Sequence, residues 1–183
     1  GQVYMPSPTH ADAHGRPHSI LAGWLLFYEA HTDHVYAYDN ATVRLDLDNE
    51  VQPDVLLRID EDAGGQSRIS DDDYVEGAPE LVVEVAHSSA AYDLHDKKTA
   101  YRRNGVREYV VWQIEENQVD WFALDGTAYT TLEAEGGMLE SRVFPGLVLD
   151  VGALLERDVA GVLDAVRGGV GGAAHGEFVV GLS

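Results

Sequence analysis

The run "PELVVEVA", Pro79 to Ala86, constrains this chain more than any other stretch. Val82, Val83 and Val85 are β-branched and favour a buried, pleated strand. Glu84 sits among them, and an ionised carboxylate without a partner in such a strand costs several kcal/mol or takes up a proton. Whatever fold forms must therefore compensate Glu84. The candidates are an arginine across the sheet, Arg44 or Arg58, or a metal ion.

The rest of the chain reads as alternating periods. From His18 to Ala30 the residues Leu21, Trp24, Leu25 and Tyr28 recur at helical spacing. "VYAY", "ATVRLDL" and "VQPDVLLRI" read as strands between the turn signals Asp39-Asn40 and Asp48-Asn49, and the acidic segment from Ile59 to Tyr74 reads as a flexible loop or lid. After the valine-rich strand, "SSAAYDLHDKKTAYRRNGV" has a helix's grammar: Asp93 as N-cap, Leu94 and Tyr101 on one face, arginines in the last turn and Gly105 as the stop. "REYVVW", "QVDWFAL", "AYTTL", "MLESRVF" and "LVLD" are further strands. A last helix is expected from about Val151 to Val166. One domain over residues 1–167 with a glycine-rich tail over 168–183 follows, of α/β or α+β class with a single core.

Charge excludes some partners and leaves others. The 32 acidic and 12 basic residues give a formal charge of −20, which repels polyanions and anionic membranes over long range. Five of the twelve basic residues, Lys97, Lys98, Arg102, Arg103 and Arg107, nevertheless fall within eleven positions. The absence of cysteine excludes disulfides and thiolate zinc sites and fits a reducing cytoplasm. No run of about 18 apolar residues offers a membrane span, and no basic-then-apolar leader is visible.

"QPDV" places Asp54 within an apolar strand directly after Pro53, which implies an edge, a strand start or a bulge. Carboxylates on neighbouring strands repel unless one is protonated or a cation lies between them, commonly a hard divalent ion with oxygen ligands. Lys97 follows Asp93 by one turn, and its stem can run along the face of Leu94 and Tyr101 toward the strand end. Two acids and a lysine outline a metal-dependent phosphodiesterase site. The plainer alternatives are that Asp54 caps a turn, that Glu84 pairs with Arg44 or Arg58, and that Lys97 is solvated.

Over nearly its whole length the chain resembles the Uma-two family of restriction-endonuclease-like proteins. The resemblance lies in "VQPDVLLRI", "PELVVEVAHSSAAYDLHDKKTAYRRNGVREYVVW" and "VFPGLVLD", above all in the ordered set Pro53-Asp54, Glu84-Val85, Tyr92-Asp93, Lys97, Tyr101, Gly105-Val106 and Glu108-Tyr109. It implies a PD-(D/E)xK nuclease fold, a mixed central sheet flanked by helices with additional antiparallel strands, usually as a homodimer without an organic cofactor. It also implies Mg²⁺ or Mn²⁺ held by Asp54, Glu84 and the Val85 carbonyl, Lys97 at the reacting phosphate, and hydrolysis of DNA phosphodiesters. Lys98, Arg102, Arg103 and Arg107 would then form a positive rim for phosphate, unless they are simply cations near a helix C-terminus. His14 matches a histidine at the start of the family's first helix and is an auxiliary candidate.

Two departures from the pattern stand out. Ala86 occupies the place, two residues after the second acid, where the general nuclease pattern has its lysine, and His87-Ser88-Ser89 replaces a Ser-Pro-Ser. Ala86 and the net charge motivate a second expectation, a catalytically inactive dimeric binding or regulatory module that retains the fold. His10, His14 and His18 share a four-residue spacing, but Gly15 and Pro17 interrupt a helix there, so they are expected to be surface or helix-start residues.

Overall fold

The computed structural model describes residues 15–47, 49–86 and 91–182, with backbone only for 91–94. His10, His14 and His87-Ser88-Ser89 lie outside the described residues, as does the Asp93 side chain.

Helix α1 (Arg16–Glu29) starts with Pro17 in its first turn and buries Ile20, Leu21, Trp24, Leu25 and Tyr28. Strands β1 (Val35–Asp39), β2 (Val43–Arg44), β3 (Glu50–Val51), β4 (Val55–Ile59), β5 (Arg68–Ile69), β6 (Val75–Glu76) and β7 (Leu81–Ala86) follow. Helix α2 (Ala91–Asn104) crosses to β8 (Glu108–Gln113), β9 (Gln118–Asp125) and β10 (Ala128–Thr131). The chain then forms β11 (Met138–Glu140), β12 (Val148–Asp150), α3 (Val151–Leu155), α4 (Val159–Val170) and α5 (Ala173–Gly181).

The main sheet runs β1-β4-β7-β8-β9-β10. Only β7 and β8 pair in parallel, because α2 returns the chain between them; the other pairs are antiparallel. Every residue of β4 and β7 is buried, so both faces of these strands are covered. The expected single core is therefore two, divided by the sheet. One holds α1, α4 and the odd-numbered residues of β7, with Trp24 edge-on to Trp121 at 5.7 Å. The other holds Leu56, Val82, Ala86, Tyr101, Val106 and Tyr109 beneath α2.

Several expectations are corrected. "VQPDVLLRI" is two strands, broken at Gln52–Asp54, because proline cannot donate to a ladder. The acidic segment is not a free loop: β5 within it pairs with β6 just after it, and β6 joins β2 and β3 in a small four-stranded sheet of order β3-β2-β6-β5. α2 begins at Ala91, so Asp93 falls in its first turn rather than at its cap. Its end matches expectation, with Gly105 at φ +83° and the Val106 N–H donating to the Tyr101 carbonyl at 3.0 Å. The final helix is divided where Arg157 adopts φ +58° and Asp158 caps α4.

The glycine-rich tail is helical and docked. His175 is buried, with Nε2 2.9 Å from Thr32 Oγ1, and Phe178 meets Phe144 edge-on. One of its glycines serves close approach: a Cβ on Gly169 would lie 2.1 Å from the Gly146 carbonyl oxygen.

Candidate active site

Alternation along β7 sends Leu81, Val83 and Val85 toward α1, and Val82, Glu84 and Ala86 toward α2. β4 pairs antiparallel with β7 in the register Val55↔Val83, and one step beyond that ladder Asp54 stands opposite Glu84 on the α2 face. There Asp54 replaces the missing ladder bond: its Oδ2 accepts the Val85 N–H at 2.7 Å. Its carbonyl accepts from the Asn40 N–H at 3.0 Å and from His18 Nε2 at 2.9 Å. Asp54, at 9 % exposure, is thus held from three elements.

Glu84, at 5 % exposure, receives both of its charged-helix partners from α2. Lys97 Nζ lies 3.2 Å from each carboxylate oxygen, and the Tyr101 hydroxyl donates to Oε1 at 2.8 Å. Lys97 and Tyr101 are four residues apart, so one helical face delivers both. Burial raises the Glu84 pKa; the Lys97 charge opposes that, the Asp54 charge reinforces it, and the Tyr101 hydrogen bond opposes it. Burial, then the Glu84 charge, holds the proton on Tyr101 well beyond the ordinary phenol range.

The arginines once weighed as Glu84 partners are elsewhere. Arg44 pairs with Asp72 at 2.8 Å, and Arg58 donates to Ser67. Ala86 is buried on the Glu84 face, where it meets the second core rather than solvent. Lys97 therefore reaches by space the carboxylate that a lysine at position 86 would have neighboured by sequence.

The basic cluster does not gather into one rim. Lys98 lies 3.2 Å above the Phe122 ring and Arg102 donates to the Thr127 carbonyl at 2.6 Å, both on the β9–β10 side of α2. Partial burial lowers the Lys98 pKa, against the raising influence of Asp120. Arg103 is exposed at the far end of the helix. Arg107, just before β8, donates to Gln66 Oε1 at 3.1 Å, away from β9 and β10. Four residues along that strand put it about 13 Å from the level of Glu84.

His18 is the residue that sequence reasoning set aside and the fold draws in. Its Nε2 contacts both the Asp54 carbonyl and, at 2.6 Å, Asp39 Oδ1. Two acceptors at one nitrogen mean that Nε2 carries a hydrogen. The signal in the sequence was its helical phase with Leu21 and Leu25, which turns it toward the sheet. Two further buried carboxylates were also missed. Glu80 accepts the N–H groups of Ile59 and Gln66, at 2.8 and 2.9 Å. Glu108 accepts from Trp121 Nε1 at 3.3 Å, Ser141 Oγ at 2.7 Å and the Arg142 N–H at 2.6 Å.

The donor chemistry at Asp54 and Glu84 is two facing carboxylates, one raised in pKa partly by the other, which fits a hard divalent cation. Among the described residues no group of three or more His, Cys, Asp or Glu side chains is placed to hold a metal. No described helix is long and apolar enough to cross a membrane.

A mixed sheet with helices on both faces defines the class, an α+β fold. A crystal structure described as "a putative nuclease belonging to DUF820", from Anabaena variabilis, shares this fold with a TM-score of 0.62 at 11 % identity, covering 85 % of this chain and 86 % of that one. The profile of the Uma2 family, described as "Putative restriction endonuclease", matches residues 1–152, and the chain belongs to that family. Comparison with curated proteins gives no match.

Proposed function

We propose that this protein is a metal-dependent endonuclease that hydrolyses DNA phosphodiesters through a PD-(D/E)xK-type site of Asp54, Glu84 and Lys97. The observation that carries the reading is Lys97 Nζ at 3.2 Å from both Glu84 oxygens, with Asp54 opposite on the same sheet face. Asp54, Glu84 and the Val85 carbonyl would hold Mg²⁺ or Mn²⁺. The bound ion supplies Lewis-acid polarisation of the phosphoryl oxygens and an acidified water. Val85 N–H and His18 fix the Asp54 rotamer and backbone, and Tyr101 fixes Glu84. The ammonium of Lys97, whose side chain is 32 % exposed, is placed to meet the charge that develops on the phosphoryl group.

Cleavage of plasmid DNA with Mg²⁺ or Mn²⁺ tests this. Asp54→Asn, Glu84→Gln and Lys97→Ala are each expected to lower the rate by about 100-fold or more. Cleavage that survives all three sinks the reading.

A second reading, an inactive dimeric binding or regulatory module, has one observation in its favour. Lys97 already neutralises Glu84, and the Val85 N–H already satisfies one Asp54 oxygen, so the two acids are compensated without an ion. Calorimetric Mn²⁺ binding that Glu84→Gln abolishes speaks against it. Sedimentation equilibrium tests the homodimer, which the family resemblance alone supports; the cytoplasmic assignment rests on cysteine-free composition.

A further inference from the structure

Two cations of the basic cluster share a concave surface with nothing in the fold to bond fully to them. A cleft of about 320 Å³ separates α2 from the β9–β10 turn, lined by His95, Lys98, Thr99, Arg102 and Tyr129. Among the described residues Lys98 makes no hydrogen bond; its ammonium rests on the Phe122 face at 3.2 Å. Arg102 spends one donor on the Thr127 carbonyl, leaving most of its five N–H groups for a ligand. The two stand one turn apart on the helix, about 6 Å.

Acidic surroundings do not cancel them. Asp120, whose charge is felt at Lys98, makes no ion pair with it and instead accepts from Gln113 Nε2 at 2.6 Å and Gln118 Nε2 at 2.8 Å. At physiological ionic strength charges beyond about 8 Å are largely screened, so this pair outweighs the dispersed negative charge for a phosphate in the cleft.

Beside the cations lie two aromatic rings, Phe122 and Tyr129, with centroids 6.2 Å apart. Cationic donors beside π-faces are what a single nucleic-acid strand uses, phosphate on one and base on the other. Lys98 links the two, since an ammonium drawn from the ring to a phosphate uncovers the ring for a base. The cleft opens on the same sheet face as the acids. Glu84 pairs with Val111 and Val111 with Asp120, so Asp120 lies two strands, about 10 Å, across the same face.

We propose that the cleft between α2 and the β9–β10 turn binds a single strand of DNA, with Lys98 and Arg102 on successive phosphates and Phe122 beneath a base, and that it leads the strand to or from Glu84. The last clause rests on the endonuclease reading; strand binding does not. Arg103 and Arg107, at the far end of the helix and beyond it, take no part.

The test is fluorescence anisotropy of a labelled oligonucleotide of about 12 nucleotides, within the site sizes of single-strand binders, in EDTA and across a salt series. Lys98→Ala and Arg102→Ala are each expected to weaken binding severalfold and to reduce the slope of log affinity against log salt by about 0.7, one phosphate contact. Phe122→Leu is expected to weaken it about tenfold at unchanged slope. Arg103→Ala and Arg107→Ala are expected to bind as the parent does. Parental affinity in the Lys98→Ala/Arg102→Ala double variant overturns the proposal, as does equal loss in the Arg103 and Arg107 variants; a blunt duplex bound as tightly as the strand overturns the single-strand assignment. Because EDTA removes catalysis from the measurement, a protein that binds through the cleft yet cleaves nothing refutes the endonuclease alone. One that cleaves while the cleft variants bind normally refutes the cleft alone.

Discussion

Glu84 and Glu108 stand on adjacent parallel strands, both buried, both with pKa raised by burial before anything else. Their partners separate them. Glu108 faces the α1 side and closes a neutral cage, with a donor at each oxygen: Arg142 N–H on Oε1, Trp121 Nε1 and Ser141 Oγ on Oε2. Glu84 faces the α2 side and meets a cation, a phenol and a second carboxylate. Burial of an acid therefore says little about chemistry; a half-exposed cation and a like charge beside it say more.

The largest contrast is expected in stability. In Glu108→Gln the new NH₂ must oppose a buried donor whichever way the amide turns, which costs about 2–3 kcal/mol. In Glu84→Gln the amide oxygen can keep Tyr101 while the NH₂ faces Lys97, whose half-exposed ammonium can turn to water, so the loss is expected below about 1 kcal/mol. Urea unfolding of both variants checks this, and equal losses break the comparison.

A pH series sharpens it. Burial raises the folded-state pKa of Glu108 above its ordinary 4.5, so its contribution to stability is fully present below that value and is lost as pH rises through the folded-state pKa. Parent stability is expected to decline across that window, and Glu108→Gln to decline less. A variant whose urea midpoint tracks the parent's throughout contradicts the assigned direction. A smaller effect than at Glu108 is expected at Tyr101→Phe, which removes one of the Glu84 bonds and should cost about 1 kcal/mol by the same unfolding measurement.

The buried strand and its anomalous carboxylate were legible because hydrophobic period and β-branching act within a few residues. The same holds for α1, for the helix that ends at Gly105, and for the strands from Glu108 onward. Asp54, Glu84 and Lys97 could be named together because a family pattern orders them along the chain. The single helix expected across Arg157 is broken in the fold, and the glycine-rich segment beyond Gly168 is helical, for one reason. A left-handed residue, or a glycine pressed on another backbone, looks like ordinary apolar or flexible sequence until its neighbour is in place.

By itself, then, the sequence determined that an acid would be buried in a central strand, that a lysine-bearing helix would follow it, and that no thiolate chemistry is possible. The tertiary structure decided which groups compensate that acid. It put Asp54 opposite Glu84 through a register spanning 30 residues, drew His18 behind Asp54, excluded Arg44 and Arg58, and turned Lys98 and Arg102 toward β9 and β10 but Arg107 toward Gln66. Local period tells which face a side chain takes, whereas its partner is set by strand order and helix placement, which depend on contacts far apart in the chain.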